Sequence, residues 1–178
     1  DAITMRVIEF QGRGQCVPFS SGVPIHAMED SGKRVHSHAR RKEDFNMALT
    51  AEQADKVMRH MGKALFSRDR AQMEKMLTDD AEWHFAIGED APDGRVRVGV
   101  DGFLQGIADN EALFEKLRFN DIHYAPYGDD QIIMTYVVDG HWRDGEAFSQ
   151  RGVEIITARE GRVAKKDVFW KQHGKGGG

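Results

Sequence analysis

Cysteine occurs once in 178 residues, proline four times, and no apolar run approaches the length of a membrane-spanning helix. Cys16 has no partner for an internal disulfide, so the sequence points to a reducing compartment. The N-terminal residues hold no basic stretch followed by an apolar core of the kind that marks a secretory leader. A soluble, cytoplasmic protein with no membrane partner is expected. Charge of one sign is missing too: 25 Lys and Arg against 29 Asp and Glu leave a formal net charge of −4, which argues against a surface built to neutralise nucleic acid. No Gly-x-Gly-x-x-Gly follows a strand, and neither a Gly-x-x-x-x-Gly-Lys-Ser/Thr loop nor a Gly-x-Ser-x-Gly elbow occurs, so no cofactor is expected. His36 and His38 could share one side of an extended chain but lack a third ligand, and no metal is expected either.

What the chain does contain, with 40% hydrophobic and 30% charged residues, suffices for one substantial core. Turn formers and charges crowd the first 46 residues, as in Gly12-Arg13-Gly14 and Asp30-Ser31-Gly32-Lys33-Arg34, and the reading is an N-terminal arm over 1–46. A single domain is expected over 47–173, followed by a flexible Gly-rich tail over 174–178.

Within the domain, Ala54, Val57, Met58, Met61 and Leu65 share one face of a helix that Thr50 caps, with Gln53 placed to complete a capping box. A second short helix follows, with Ser67 as its cap and Met73, Met76 and Leu77 as its buried side. The run 81–87 then alternates, with Trp83, Phe85 and Ile87 on one face of a strand and Glu82 and His84 on the other. A short strand over 95–98 precedes a third helix, capped by Asp101, that takes in Phe103, Leu104, Ile107, Leu113, Phe114 and Leu117. Four strands close the chain, over 118–127, 131–142, 147–158 and 163–170, separated by glycine-containing turns. Helices first and a meander afterwards imply an α+β fold, with about three helices packed on one face of a curved antiparallel sheet.

Three segments resemble the SnoaL-like and ketosteroid-isomerase-like branch of the nuclear transport factor 2-like superfamily: Leu77-Thr78-Asp79-Asp80-Ala81-Glu82-Trp83, Val98-Gly99-Val100-Asp101-Gly102-Phe103, and the hairpin from Gly152 to Trp170. The resemblance implies a cone-shaped barrel around one deep pocket, often in a homodimer, without naming a reaction. The position of the isomerases' general-base aspartate falls on Phe85, and that of their tyrosine in the first helix falls on Met61. That isomerase mechanism therefore has no support in this chain. The resemblance places the family's second acid on Glu154 if the last turn is one residue shorter here, and pocket positions of the last strand on Lys166, Val168 and Trp170.

The residues of the last hairpin lead to the same pair. A three-residue loop, Arg159-Glu160-Gly161, sets Glu154 across from Lys166, whereas a two-residue loop, Glu160-Gly161, sets it across from Asp167. Opposite charges favour the first register. Two readings of function follow. In the first, Glu154 and Lys166 are the acid/base group and electrostatic partner of a cofactor-independent isomerase, cyclase, dehydratase or hydrolase. It acts on a small, partly hydrophobic cyclic or carbonyl compound, with Met61, Trp83, Phe85, Val168 and Trp170 lining the pocket. In the second, the pair is structural and the protein is a non-catalytic ligand-binding or dimeric assembly module. His84 is a lesser catalytic candidate, and His123 and His141 are read as surface or edge-strand histidines.

Overall fold

The computed structural model describes residues 48–88, 92 and 94–171. The expected arm over 1–46, with its His36 and His38, and the tail over 174–178 lie outside the described residues.

Three helices and six strands follow one another as α1 (Ala51–Ser67), α2 (Arg70–Met76), β1 (Leu77–His84), β2 (Val96–Val98), α3 (Gly99–Leu113), β3 (Phe114–Tyr127), β4 (Gln131–Trp142), β5 (Ala147–Arg159) and β6 (Arg162–Trp170). Thr50 accepts from the Gln53 amide while the Gln53 side chain accepts from the Thr50 amide, so α1 begins at the expected capping box. Its apolar stripe, Ala54, Val57, Met58, Met61 and Ala64, is buried. The cap of α2 is Asp69 rather than Ser67: the Asp69 carboxylate accepts from the amides of Ala71 and Gln72, while the Ser67 hydroxyl turns back to donate to the Ala64 carbonyl. Asp101 lies in the first turn of α3, where it pairs with Arg70, and is not its cap. Helix α3 also stops at Leu113, so Phe114 and Leu117 belong to a long β3 and not to the helix. Their spacing continues the helical period of Phe103 and Ile107, which disguises the change.

The strands form one sheet in the order β2-β1-β6-β5-β4-β3. Neighbours run antiparallel except β1 and β6, which are parallel, so the sheet is mixed. It curves into an open cone whose two edges, β2 and β3, do not pair, and the expected barrel is therefore not closed. Bulges supply part of the curvature. One interrupts β3 between Asn120 and His123, where Asp121 takes a positive φ of 49°.

Burial along β4 alternates strictly, with Ile132, Met134, Tyr136, Val138 and Gly140 inward. On β5 the inward set is Gly152, Glu154, Ile156 and Ala158. These rows, with α1 and α3, enclose the core. A carboxylate, Glu154, stands in the middle of the β5 row.

Candidate functional site

The β5–β6 hairpin adopts neither register that its sequence suggests. Its turn is the two-residue Glu160-Gly161, both at positive φ as a tight type I′ turn requires, with Arg159 opposite Arg162 and Ala158 opposite Val163. Thr157 then pairs with Lys165, which leaves Ala164 as an unpaired bulge residue. The inserted residue flips the alternation, so Lys166, Val168 and Trp170 share the inward face with Val163. Glu154 comes to lie opposite Val168, and Lys166 opposite Ile156.

Glu154 and Lys166 are therefore diagonal neighbours, and their side chains meet: Lys166 Nζ stands 2.8 Å from Glu154 Oε1 with both groups buried. The ammonium also lies 4.8 Å from the centre of the Trp83 ring, within cation–π range. One row above, Tyr136, Gly152 and Trp170 are aligned across β4, β5 and β6. Because Gly152 has no side chain, the Tyr136 ring can lie over it and reach Trp170. A Cβ on Gly152 would stand 2.3 Å from Tyr136 Cζ. The Trp170 indole donates to the Tyr136 oxygen at 2.9 Å, and since an indole N–H can only donate, the Tyr136 hydroxyl is directed to donate onward to Glu154 Oε1 at 3.2 Å.

Glu154 Oε1 thus accepts from both Lys166 and Tyr136, while its buried Oε2 has no hydrogen-bond partner among the described residues. Burial pushes the Tyr136 phenol far above its ordinary pKa, and the Glu154 charge pushes the same way against the opposing Trp170 bond. Tyr136 consequently remains a neutral donor across the accessible pH range.

Two adjoining cavities share Trp83, Asn110, Leu117, Phe119, Glu154 and Lys166 as walls. The wide one, about 430 Å³, is bounded by the apolar face of α1, including Met58, Met61 and Leu65, and by Met134 of β4. The narrow one, about 50 Å³, lies against Phe85, Ile87, Arg95, Val168 and Trp170. All five residues expected to line a pocket are accordingly on cavity walls: Met61 on the wide one, Phe85, Val168 and Trp170 on the narrow one, and Trp83 on both. Trp83 and Phe85 are stacked with ring centres 4.3 Å apart, and Gly106 of α3 lets the helix settle against them.

His84 is elsewhere. It is buried on the opposite face of β1 with its Nε2 2.8 Å from Glu82 Oε2, and it lines neither cavity. His123 and His141 are exposed on β3 and β4. Among the described residues no group of three or more His, Cys, Asp or Glu side chains is placed to hold a metal ion. The sequence reading missed Tyr136, whose place in an alternating strand looks like ordinary core; the available signal was Gly152, a glycine inside an otherwise continuous strand.

Comparison with known proteins agrees with this architecture. Residues 57–166 match the model of a family described as SnoaL-like domain. No curated protein matches the chain. Among solved structures, an NTF2-like protein from Burkholderia xenovorans LB400 is 13% identical, with 70% of this chain and 93% of that one aligned at a TM-score of 0.59. A phenazine biosynthesis-related protein from Pseudomonas aeruginosa is 12% identical over 67% and 82% of the two chains, with a TM-score of 0.55. TerC, crystallised with polyporic acid, is 13% identical over 68% and 92%, with a TM-score of 0.53. Identities this low speak to the fold alone.

Proposed function

The chain belongs to the family of SnoaL-like domains, and from that premise we propose that it is a cofactor-independent acid/base enzyme. Its substrate is a small, partly hydrophobic cyclic or carbonyl compound bound in the wide cavity. The observation that carries this reading is the buried Glu154–Lys166 pair on the cavity wall, with one carboxylate oxygen accepting from two donors and the other without a partner among the described residues. A wide apolar cavity with a few convergent polar groups is the usual form of a small-molecule site.

The division of labour follows from the two oxygens. Oε1 is held by Lys166 and Tyr136, which fixes the carboxylate plane, while Oε2 is the basic atom. A substrate C–H next to a carbonyl gives its proton to Oε2, and the electron pair moves to the carbonyl oxygen. The Lys166 ammonium then stabilises the enolate. Return of the proton to a different carbon gives isomerisation; attack of the enolate carbon on a second carbonyl, whose oxygen takes the electron pair and then the proton from Glu154, gives cyclisation.

The test is a thermal-shift screen of the full chain against cyclic ketones, sterols, aromatic polyketides and epoxides, repeated with Glu154→Gln and Lys166→Met. Binding to the folded state raises the melting temperature. Saturable stabilisation that changes in both variants, with turnover lost in Glu154→Gln, is the expected result. Full turnover in Glu154→Gln overturns the catalytic assignment, and absence of stabilisation by every class overturns the ligand site.

A second reading concerns assembly. Val153 and Phe169 are exposed and directly opposite each other on the outer face of β5 and β6. We propose that this face joins two copies in a homodimer. Light scattering then gives about twice the 20.1 kDa chain mass and returns to the single-chain value in Val153→Glu with Phe169→Glu. A single-chain mass for the wild type across micromolar concentrations contradicts it.

A further inference from the structure

We propose that the ligand of the wide cavity is a flat aromatic or conjugated acid, with a hydroxyl or enol at its inner end and a carboxylate at its outer end. The inference rests on the reading of that cavity as a ligand site and names what it selects. Three separate features of the wall carry it.

The first is charge. Five charged side chains line the wide cavity: Arg68, Glu111, Lys116, Glu154 and Lys166. Arg68 is bonded to Glu111, and Lys166 to Glu154. Lys116 has neither an ion pair nor a side-chain hydrogen bond among the described residues, so the wall carries one uncompensated positive charge. It sits on an exposed position of β3, whereas the Glu154–Lys166 pair is buried, so the two mark the outer and inner ends of the wall. A ligand anion placed there meets a cation that need not give up another partner.

The second feature is the inner end, where Glu154 Oε2 is buried without a partner among the described residues. An acceptor of this kind is costly to bury unmet and favours a ligand group that donates a hydrogen bond. A hydroxyl or enol does so; a second carboxylate or a bare carbonyl does not. The third feature is the stretch between the two ends. It is walled by Met58, Met61 and Met134 with Trp83 and Phe119. Thioethers adapt to flat rings and make favourable sulfur–aromatic contacts, and aromatic rings stack on other rings.

Three probes separate these features: 2-naphthol, 2-naphthoate and 6-hydroxy-2-naphthoate, titrated calorimetrically at neutral pH into the full-length wild type, Lys116→Met, and the double variant Glu154→Gln with Lys166→Met. Lys116 is exposed, so its replacement leaves the fold in place. In the wild type 6-hydroxy-2-naphthoate binds most tightly. Lys116→Met weakens both acids by about fivefold, the scale of an exposed ion pair, and leaves 2-naphthol unchanged. In the double variant the advantage of the hydroxyl over plain naphthoate disappears while the advantage of the carboxylate remains. Binding of all three probes with equal affinity, or a preference for acids that survives Lys116→Met, overturns this inference and leaves the cavity reading standing. Failure of all three to bind overturns this inference, while the cavity reading stands or falls with the wider thermal-shift screen.

Discussion

At the scale of single residues, the site depends on a charge pair taken out of water. Removing one member of a buried pair leaves the other desolvated and alone, which costs about 3–5 kcal/mol. Lys166→Met and Glu154→Leu should each destabilise the protein by that order in urea titration. Replacing both charges, as in Glu154→Gln with Lys166→Met, should recover most of the loss, because the orphaned charge is gone. A double variant no more stable than the worse single one would show that the pair is not energetically linked. Gly152 makes a second prediction. An alanine there drives its Cβ to 2.3 Å from the Tyr136 ring, so Tyr136 must leave its bond to Glu154, at a cost of about 1–3 kcal/mol. Unchanged stability in Gly152→Ala would refute the packing described. The pairing of Glu154 with Lys166 was legible because two opposite charges stood in the neighbouring apolar strands of one hairpin, although they meet on the diagonal and not face to face. Tyr136 and Trp170 were not legible as its supports, since their link runs across three strands and depends on a glycine between them.

At the scale of elements, the position of Lys166 is set by one inserted residue. Sequence alternation alone predicts that Lys166 faces Glu154 only with a three-residue turn, yet the turn has two residues and the bulge at Ala164 restores the inward direction. Bulges leave little trace in composition, so the outcome was readable and its cause was not. The parallel pairing of β1 with β6 was hidden for a related reason, because it joins segments far apart in the chain. Helix α3, which carries Asn110 to both cavities, is tied to β2 by Asp109. Its carboxylate accepts from Arg97 Nε at 2.9 Å and Arg97 Nη2 at 2.6 Å, and its other oxygen accepts from Gln105 at 3.0 Å. Burial raises the Asp109 carboxyl, but the bonds from Gln105 and Arg97 and the charges of Arg97 and Arg95 outweigh it and hold the group below its ordinary pKa. A carboxyl depressed on folding stabilises the protein above its unfolded pKa of about 3.9, and that stability is lost as pH falls through the lower folded value. Asp109→Asn should therefore lower the melting temperature by about 2–4 °C at pH 7, and the difference should vanish in strong acid. A difference independent of pH would assign the effect to something other than this charge.

At the scale of the whole molecule, the open cone turns a sheet and three helices into two adjoining cavities whose common wall holds the only buried ion pair among the described residues. The same inward rows supply core at Val138, Ile156 and Val163 and a cavity wall at Met134, Glu154 and Lys166. This overlap explains why the fold class was legible while the division between core and cavity was not: both are supplied by the inward positions of the same strands. The most direct test of the account is the ligand-induced shift in melting temperature, measured on the wild type and on the double variant Glu154→Gln with Lys166→Met, with 6-hydroxy-2-naphthoate as ligand. The account predicts a saturable rise in the wild type that is clearly smaller in the double variant. An equal rise in both proteins would contradict it, because the ligand would then bind without using the buried pair.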